Sequence, residues 1–288
     1  MTGGSAAHAT APSRPRRRRI PVNLIAGSIV FGTIAVLAIL GPYIAPYPYD
    51  EIHARDRLQP PNTTYWLGTD DLGRDVMSRT LDGSRLSLFI GLAATAVNLV
   101  FGVPLGLMAG YFRGRLDEVI MRSLDVIVAF PPVIFVMLIL TVTPHALWKT
   151  TVTIGCLFTP GLARVTRSVV LDLRGQEFIQ AAQARGESAW YIIFRELLPN
   201  AWPPIIVEAS LRVTFAILIG AVLSFLGLGV RPPAADWGLM ISEARTFLDQ
   251  APWIALVPGA AMCITVVAVN LIGDGLRELL DPKGRARH

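Results

Sequence analysis

The sequence predicts an all-α membrane protein with six transmembrane helices. Three observations lead to this fold class. Of the 288 residues, 52% are hydrophobic and only 16% are charged. The mean hydropathy of +0.50 is above that of water-soluble domains. The chain also contains six apolar runs, each close to the roughly 20 residues that a helix needs to cross about 30 Å of hydrocarbon.

The six predicted spans differ in how apolar they are. The fourth span is the weakest, because Lys149, several threonines and Pro160 dilute its apolar character. It is retained because an odd number of spans would place the basic segments on opposite sides of the membrane. The predicted spans cover residues 21–45, 86–111, 125–143, 147–163, 201–230 and 253–276.

The distribution of Lys and Arg predicts the orientation. With the N-terminus inside, seventeen of the 26 cationic residues lie on the cytoplasmic side and eight lie outside. This asymmetry favours cytoplasmic N- and C-termini. Residues 1–19 have nothing apolar to bury and are expected to form a disordered basic tail, and residues 281–288 form a second cytoplasmic tail. The run that follows the first tail is too long for a signal peptide, so a retained first transmembrane helix within 20–45 is expected.

The segment 46–85 is predicted to be an extracytoplasmic loop with a short surface helix. It contains the string WLGTDDLGRDVMSR. Asp75 is expected to cap a helix or to pair with Arg74 and Arg79. The aspartates of this string lack the ligand spacing and the terminal Glu of a calcium-binding loop, so a metal site is not predicted.

Small residues at every fourth position predict two helix-packing seams, because they let another backbone approach closely. The first seam lies in the second span and the other in the fifth. The seams are formed by Gly102, Gly106 and Gly110, and by Ala216, Gly220 and Ser224.

Two charged residues lie within the fifth span. Glu208 and Arg212 stand one helical turn apart, where they can pair. A structural pair and a part of a substrate path or gate are both open interpretations.

Aromatic residues mark the outer connection between the fifth and sixth spans. Trp237, Phe247 and Trp253 are expected to form part of an interfacial aromatic belt. Two prolines before Trp237 predict an extended turn that leads into an amphipathic helix.

Motifs of enzyme chemistry are absent from the sequence. It contains no G-x-x-x-x-G-K-[ST], no H-E-x-x-H and no G-x-S-x-G. Cys156 and Cys263 fall inside apolar spans, where packing is expected rather than a disulfide or a metal site. No catalytic, cofactor or metal site is therefore predicted. The net charge of +5 needs no nucleic acid, because positive-inside loops explain it.

A polar stretch between the fourth and fifth spans, residues 174–199, is the most informative feature. It has helical spacing on both sides of Gly186. It is therefore predicted to form a helix pair that turns at Gly186, with one apolar side against the bundle and its tip exposed to another protein. Pro199 is expected to end the second helix of the pair before the fifth span begins.

Several long motifs, in the order found here, resemble those of one family. The chain is similar, after residue 20, to the C-type permease subunit of dipeptide and oligopeptide ABC importers, whose relatives include nickel and glutathione permeases. The motifs that carry the resemblance are WLGTDDLGRDVMSR, GLMAGYFRGRLDEVIMRSLDVIVAFP, LSFLGLGVRPPAADWGLM and NLIGDGLRELLDP.

The resemblance assigns the polar stretch to the coupling loop that contacts the ATPases, here residues 164–200 within a core permease domain of residues 86–280. The family pattern is Glu-Ala-Ala, a Gly four residues later and a Leu-Pro. Gln180 replaces the usual Glu, and Arg185 stands where an aliphatic residue is frequent. The residues that match the pattern's positions are Gln180, Ala181, Ala182, Gly186, Leu198 and Pro199.

The resemblance also implies the fold and the partners. The fold would be a type I ABC importer bundle in a bacterial plasma membrane. The partners would be a B-type permease paralogue, two cytoplasmic ATPase subunits that hydrolyse ATP and an extracytoplasmic solute-binding protein. Peptides are the expected substrate, with nickel or glutathione as alternatives. A gradient-driven carrier that acts alone is a further hypothesis, which the lack of midspan carboxylates disfavours.

Overall fold

The computed structural model describes residues 20–142 and 146–280. Within these ranges the chain is helical, and its one β-bridge joins Thr69 and Asp75. The all-α prediction is confirmed. The predicted tails, 1–19 and 281–288, lie outside the described residues.

The helices are α1 (Val22–Ile44), α2 (Val76–Phe112), α3 (Gly114–Val128), α4 (Pro132–Val142), α5 (Leu147–Arg174), α6 (Glu177–Ala184), α7 (Ala189–Tyr191), a π-helical segment (Ile192–Leu197), α8 (Leu198–Phe225), α9 (Trp237–Ala244) and α10 (Trp253–Leu280).

Five helices in the described part of the chain are long and apolar enough to cross a membrane: α1, α2, α5, the continuous helix that ends with α8, and α10. The helices α3 and α4 pass the same test only as a pair bent by 85°. A straight third span over 125–143 is therefore wrong. Its break follows from Pro131 and Pro132, because a proline disfavours helical backbone in the residue before it.

Ion pairs hold α3 against the second half of α5. Arg167 donates two hydrogen bonds of 2.6 Å to the carboxylate of Asp117. Arg164 donates one of 2.7 Å to Asp125. The apolar side of α3 buries Ile120 and Leu124. This amphipathic helix accounts for the charges that flank the third predicted span.

The helix α2 begins at Val76, ahead of the predicted start at residue 86. Asp75 is its N-cap, and its carboxylate accepts a hydrogen bond of 2.8 Å from the amide of Ser78. The prediction that Asp75 caps a helix is confirmed. The two arginines that were expected to pair with Asp75 pair with Asp70 instead. Its carboxylate accepts hydrogen bonds from Arg74 at 2.6 Å and from Arg79 at 2.5 Å.

The bundle has two ends, which are defined by their connections. The loop end carries the connection between α5 and α8, and the cap end carries residues 46–75 and α9. Gly41 in the last turn of α1 packs against Leu81 at the cap end. Leu24 in the first turn of α1 packs against Gly275 in α10. The start of α1 and the end of α10 therefore share the loop end, as the predicted topology requires.

The first glycine seam joins α2 to α5, which run in parallel. A Cβ atom built on Gly106 would lie 2.5 Å from the carbonyl oxygen of Ala163. One on Gly110 would lie 2.8 Å from side-chain atoms of Val170. A larger side chain would separate the two helices, so the seam is confirmed as a close backbone approach.

The second seam packs α8 against α2 and the start of α9. Gly220 faces Ile90, with 2.7 Å from a built Cβ atom to the nearest side-chain carbon. The hydroxyl of Ser224 donates a hydrogen bond of 2.5 Å to Asp236, which also caps α9 by accepting from the amide of Leu239 at 2.7 Å. Burial raises the pKa of Asp236, and its hydrogen bonds oppose that shift.

The cap end is a packed unit rather than a flexible outer loop. The side chain of Trp237 is buried, and its indole N–H donates to the carbonyl of Thr80 at 3.1 Å. The indole N–H of Trp253 donates to the carbonyl of Thr69, also at 3.1 Å. The prediction that Trp237 belongs to an interfacial belt is therefore wrong, because this residue fills the core of the cap.

Candidate functional site

The connection between α5 and α8 forms a compact pair of helices at the loop end. The helix α6 begins after Gln176 and ends at Ala184, and α7 starts at Ala189. The helix pair predicted around Gly186 is therefore confirmed. Its use as a coupling loop stays a prediction.

One face of α6 is seated on the bundle by apolar side chains. Ile179 and Ala182 are both fully buried. They belong to a core cluster with Ile192, Ile193 and Leu197, which lie in the π-helical segment. The spacing of Ile179 and Ala182 puts both on one side of the helix, so the opposite side is left to solvent.

Gly186 makes the turn that reverses the chain after α6. Its φ angle is +78°, and no atom lies within 4 Å of a Cβ atom built there. The amide of Glu187 donates to the carbonyl of Ala182 at 3.2 Å, and the amide of Gly186 donates to that of Gln183 at 3.0 Å. This is a Schellman motif, which favours glycine because of the left-handed backbone and not because of lack of space.

The second helix of the pair does not stop before the fifth span. The hydroxyl of Ser188 caps it at the amide of Tyr191, and one continuous helix then runs from Ala189 to Phe225. The prediction that Pro199 ends a helix is wrong. A π turn precedes the proline, in which the amide of Leu198 donates to the carbonyl of Ile193, and Pro199 occupies the first turn of α8.

The six residues that match the family pattern divide into two groups. Ala182 is buried in the core cluster, and Leu198 packs against the same cluster. The others are exposed at the surface of the loop end; they are Gln180, Ala181, Gly186 and Pro199. The amide of Gln180 donates to the carbonyl of Gly175 at 3.1 Å, so this side chain supports the start of its own helix. A partner can therefore reach Gln180 and Ala181 on the exposed face of α6 but not Ala182 on its buried face.

Exposed aromatic residues beside the loop were missed by the sequence reasoning. Trp190 is 54% exposed and stacks on Phe194, with 5.9 Å between the ring centroids. Phe112 at the end of α2 meets the edge of Trp190 at 6.4 Å. The spacing of Trp190 and Phe194 by one helical turn is the signal that could have indicated this aromatic surface.

Three charged groups of the loop form ion pairs with one another. Arg185 lies 3.5 Å from the carboxylate of Glu187 and 3.8 Å from that of Glu196. These pairs are exposed and contribute little to stability. The positive charge of Arg185 is thus partly balanced within the chain, which limits its attraction for an acidic partner.

The intramembrane pair of α8 is formed. A guanidinium N–H of Arg212 donates to the carboxylate of Glu208. The guanidinium also lies 5.6 Å from the ring centroid of Phe158 and fits against Gly161, both of which belong to α5. This geometry is compatible with both interpretations of the pair, as a structural contact and as a part of a substrate path.

Together these features define a multi-pass helical membrane subunit with an exposed helix pair at one end. The family described as the inner membrane component of binding-protein-dependent transport systems matches residues 102–286. The N-terminal transmembrane domain of oligopeptide transport permease C matches residues 24–61. The chain belongs to the family of inner membrane components of binding-protein-dependent transport systems, and it is a permease subunit of the membrane.

Relatives of similar length support this assignment. The chain is 40% identical to the dipeptide transport system permease protein DppC of Alkalihalophilus pseudofirmus, over 96% of this chain and 91% of the relative. It is 40% identical to the glutathione transport system permease protein GsiD of Pectobacterium atrosepticum, over 91% and 87%. It is 39% identical to the oligopeptide transport system permease protein OppC of Bacillus subtilis, over 90% and 85%.

A solved structure supports the fold. The inward-facing MetNI methionine ABC transporter aligns with a TM-score of 0.61 at 17% identity, covering 71% of this chain and 97% of the other. The predicted ABC importer permease bundle is confirmed by this likeness. It carries no argument about the substrate.

Proposed function

We propose that this chain is the permease subunit of an ATP-driven importer of dipeptides or oligopeptides. It forms half of the translocation pathway, and a B-type permease paralogue forms the other half. The dipeptide and oligopeptide permeases among its relatives support this substrate, since each matches at least 90% of the chain at 39–40% identity. A solute-binding protein delivers the peptide at the cap end, which is extracytoplasmic.

The observation that carries the proposal is the seating of α6. Buried Ile179 and Ala182 hold one face on the bundle, and the opposite face presents Gln180 and Ala181 to solvent. Two cytoplasmic ATPase subunits bind and hydrolyse ATP, and each contacts one such exposed helix. Because α6 and the start of the continuous helix share a core cluster, a displacement of α6 moves that helix as well.

The coupling proposal is tested by a charge placed on the exposed face of α6. We expect Ala181→Glu to reduce co-purification of the ATPase and to abolish ATP-driven peptide uptake in proteoliposomes, because it puts a desolvated charge into the contact. Ala54→Glu, at an exposed alanine of the cap end, is the matched control. Ala182→Glu is unsuitable because it would disrupt the core of the chain itself. An intact complex with Ala181→Glu would contradict the docking assignment.

The proposed orientation puts the loop end and both termini in the cytoplasm. In a variant without Cys156 and Cys263, a membrane-impermeant thiol reagent applied to intact cells should label Ala54→Cys and not Arg185→Cys. Both positions are exposed in the structure, so accessibility of the side chain itself does not differ between them. Labelling of Arg185→Cys from outside would overturn the topology.

Glutathione is the second candidate substrate, because the glutathione permease relative matches at the same 40% identity. Uptake of a labelled dipeptide in competition with unlabelled glutathione separates the two. Competition by other dipeptides but not by glutathione is expected, and the reverse would favour the second candidate.

A further inference from the structure

A cavity of about 290 Å³ lies at the cap end, between the last turn of α1 and the first turns of α2. The amide of Tyr47 donates to the hydroxyl of Ser78 at 3.3 Å, so the chain that follows α1 is tied to α2 beside the cavity. Proline and tyrosine side chains and two carboxylates form its walls. The lining includes Pro42, Tyr47, Tyr49, Asp50, Ser78 and Asp82. Carboxylates beside tyrosine rings attract an organic ammonium group through charge and cation–π contact.

The carboxylate of Asp82 has capacity for a ligand. Its side chain is 17% exposed, and it also lines a second cavity of about 600 Å³ together with Arg85 and Phe89. Nη1 of Arg85 lies 3.8 Å from Oδ1 of Asp82, which is an ion pair but is too long for a hydrogen bond. Across residues 20–142 and 146–280, no donor is hydrogen-bonded to this carboxylate. The N–H groups of a ligand can therefore be accepted there.

Both charged residues lie at the depth of lipid head groups. The helix α1 has 23 residues and is therefore about 35 Å long, close to the roughly 30 Å of hydrocarbon, and its last turn lines the first cavity. On α2, Asp82 and Arg85 are the last charged residues before the uncharged run of residues 86–112. The cavity thus lies at the boundary between hydrocarbon and water.

An exposed apolar stripe continues from this point along α2. Its large side chains are Phe89, Leu92 and Val100, which are between 48% and 64% exposed. At about 100° per residue, they lie on the same side of the helix as Asp82 and Arg85. The stripe therefore begins with one negative and one positive charge and continues as an apolar surface. This pattern matches a phospholipid with a charged head group and acyl chains, whereas a free amine would leave the stripe unused.

We propose that Asp82 and Arg85 bind the head group of a zwitterionic phospholipid with a primary ammonium group, in the leaflet at the cap end. The ammonium group donates hydrogen bonds to Asp82 and packs against the ring of Tyr49. The phosphate accepts from Arg85, and an acyl chain lies along Phe89 and Leu92. A trimethylated ammonium group has the same charge but no N–H donors, so the site selects ethanolamine over choline head groups. Lipid binding of this kind is independent of which substrate the transporter imports.

The test uses the complete transporter purified in detergent, with phosphatidylethanolamine and phosphatidylcholine of identical acyl chains, and measures bound lipid by native mass spectrometry. We expect about tenfold tighter binding of phosphatidylethanolamine, as a charged hydrogen bond contributes. Asp82→Asn should abolish that preference. Arg85→Gln should weaken both lipids equally, because both carry the phosphate. Asp249→Asn, which removes an exposed carboxylate elsewhere at the cap end, is the control and should keep the preference.

Equal affinities for the two lipids, or an unchanged preference in Asp82→Asn, would refute the lipid site. An unchanged preference is also the result expected if a partner permease covers this face. If Asp82→Asn does not assemble, Arg85→Gln still decides, since an effect that is absent or confined to one lipid would contradict the phosphate contact.

Soluble competitors separate a lipid from a free amine as the ligand. Glycerophosphoethanolamine and a free dipeptide carry a primary ammonium group but no acyl chains. We expect neither to displace phosphatidylethanolamine at equal concentration, because neither contacts the apolar stripe. Displacement by either compound at that concentration would assign the cavity to a soluble amine and would overturn the lipid site.

Discussion

At the cap end three buried charged side chains form a network with the half-buried Glu243, whereas at the loop end α6 is seated by apolar side chains. Asp70 contacts Arg74 at 2.6 Å and Arg79 at 2.5 Å. Both arginines reach Glu243 of α9, at 3.2 and 2.9 Å. The network ties residues 46–75 to α9 across a long sequence separation. It holds the cap in one geometry, because charged hydrogen bonds depend on both distance and angle.

The contact of α6 with the bundle has a different character. Ile179 and Ala182 are buried among other aliphatic side chains, and the ion pairs of Arg185 are exposed and long. Apolar contact is non-directional, so it tolerates small shifts at nearly constant free energy. The cap is thus held by directional charged contacts, whereas the helix pair around Gly186 is held by apolar packing that permits small displacements.

The largest effect is expected from breaking the network of the cap. Arg79→Met leaves Asp70 and Glu243 with fewer compensating charges in a buried place, so we expect a loss of about 3 kcal/mol in the free energy of unfolding. Thermal unfolding of the detergent-purified complex measures it. Arg85→Met removes a long pair of 3.8 Å between the exposed Arg85 and the half-buried Asp82, and it should change stability by less than about 0.5 kcal/mol. Equal unfolding temperatures for the two variants would mean that the network around Asp70 stabilises the cap no more than the single pair of Arg85 and Asp82 does.

A smaller, local loss is expected at the loop end. Ile179→Ala should destabilise the seating of α6 by about 2–3 kcal/mol through lost packing. Amide hydrogen exchange in α6 is the readout, since the rest of the bundle should stay protected. Phe178→Ala, at the neighbouring position that is 36% exposed, should leave that protection unchanged. Faster exchange in both variants would mean that apolar seating is not what holds α6.

The reversal of the chain at Gly186 contributes less. Gly186→Ala must adopt φ +78° and should cost about 1 kcal/mol in the stability of the loop. Gly175→Ala has equally open space but an ordinary φ of −79°, so it should be neutral or slightly stabilising. Limited proteolysis at Arg185 compares the two variants. Equal cleavage would show that the turn does not depend on its left-handed backbone.

The smallest effect is expected from the exposed charges. Arg185→Gln removes both ion pairs of this side chain and should alter the stability of the loop by less than about 0.5 kcal/mol. The same exchange and proteolysis measurements apply. A loss comparable with that of Ile179→Ala would mean that the helix pair around Gly186, like the cap, is held by charged contacts.

The helical spans could be predicted from the sequence because long apolar runs specify them directly. The glycine seams followed from spacing alone, as the contact of Gly106 with Ala163 shows. The bend between α3 and α4 was missed because the apolar run of α4 continues past the prolines that break it. The burial of Trp237 was missed because composition does not tell whether a tryptophan faces lipid or the core of a cap.

The helix pair around Gly186 was likewise only partly predictable. Its two helices and its turn at Gly186 follow from local backbone chemistry, so the sequence was sufficient. The exposed face of α6 depends on which side packs on the bundle, and the pattern of matching residues did not separate buried Ala182 from exposed Ala181. The guanidinium of Arg212 packs against Gly161 and Phe158 of another helix, so the sequence could indicate the pair but not its surroundings.

The unbroken helix from Ala189 to Phe225 has a mechanical consequence. Its length is about 55 Å, more than the thickness of the bilayer core, so it reaches from the base of the loop to the cap without a hinge. Near its far end, the hydroxyl of Ser224 is bonded to Asp236. A tilt or axial rotation of the helix near Trp190 would therefore strain the hydrogen bond between Ser224 and Asp236 at the other end. The π turn can absorb part of an axial rotation.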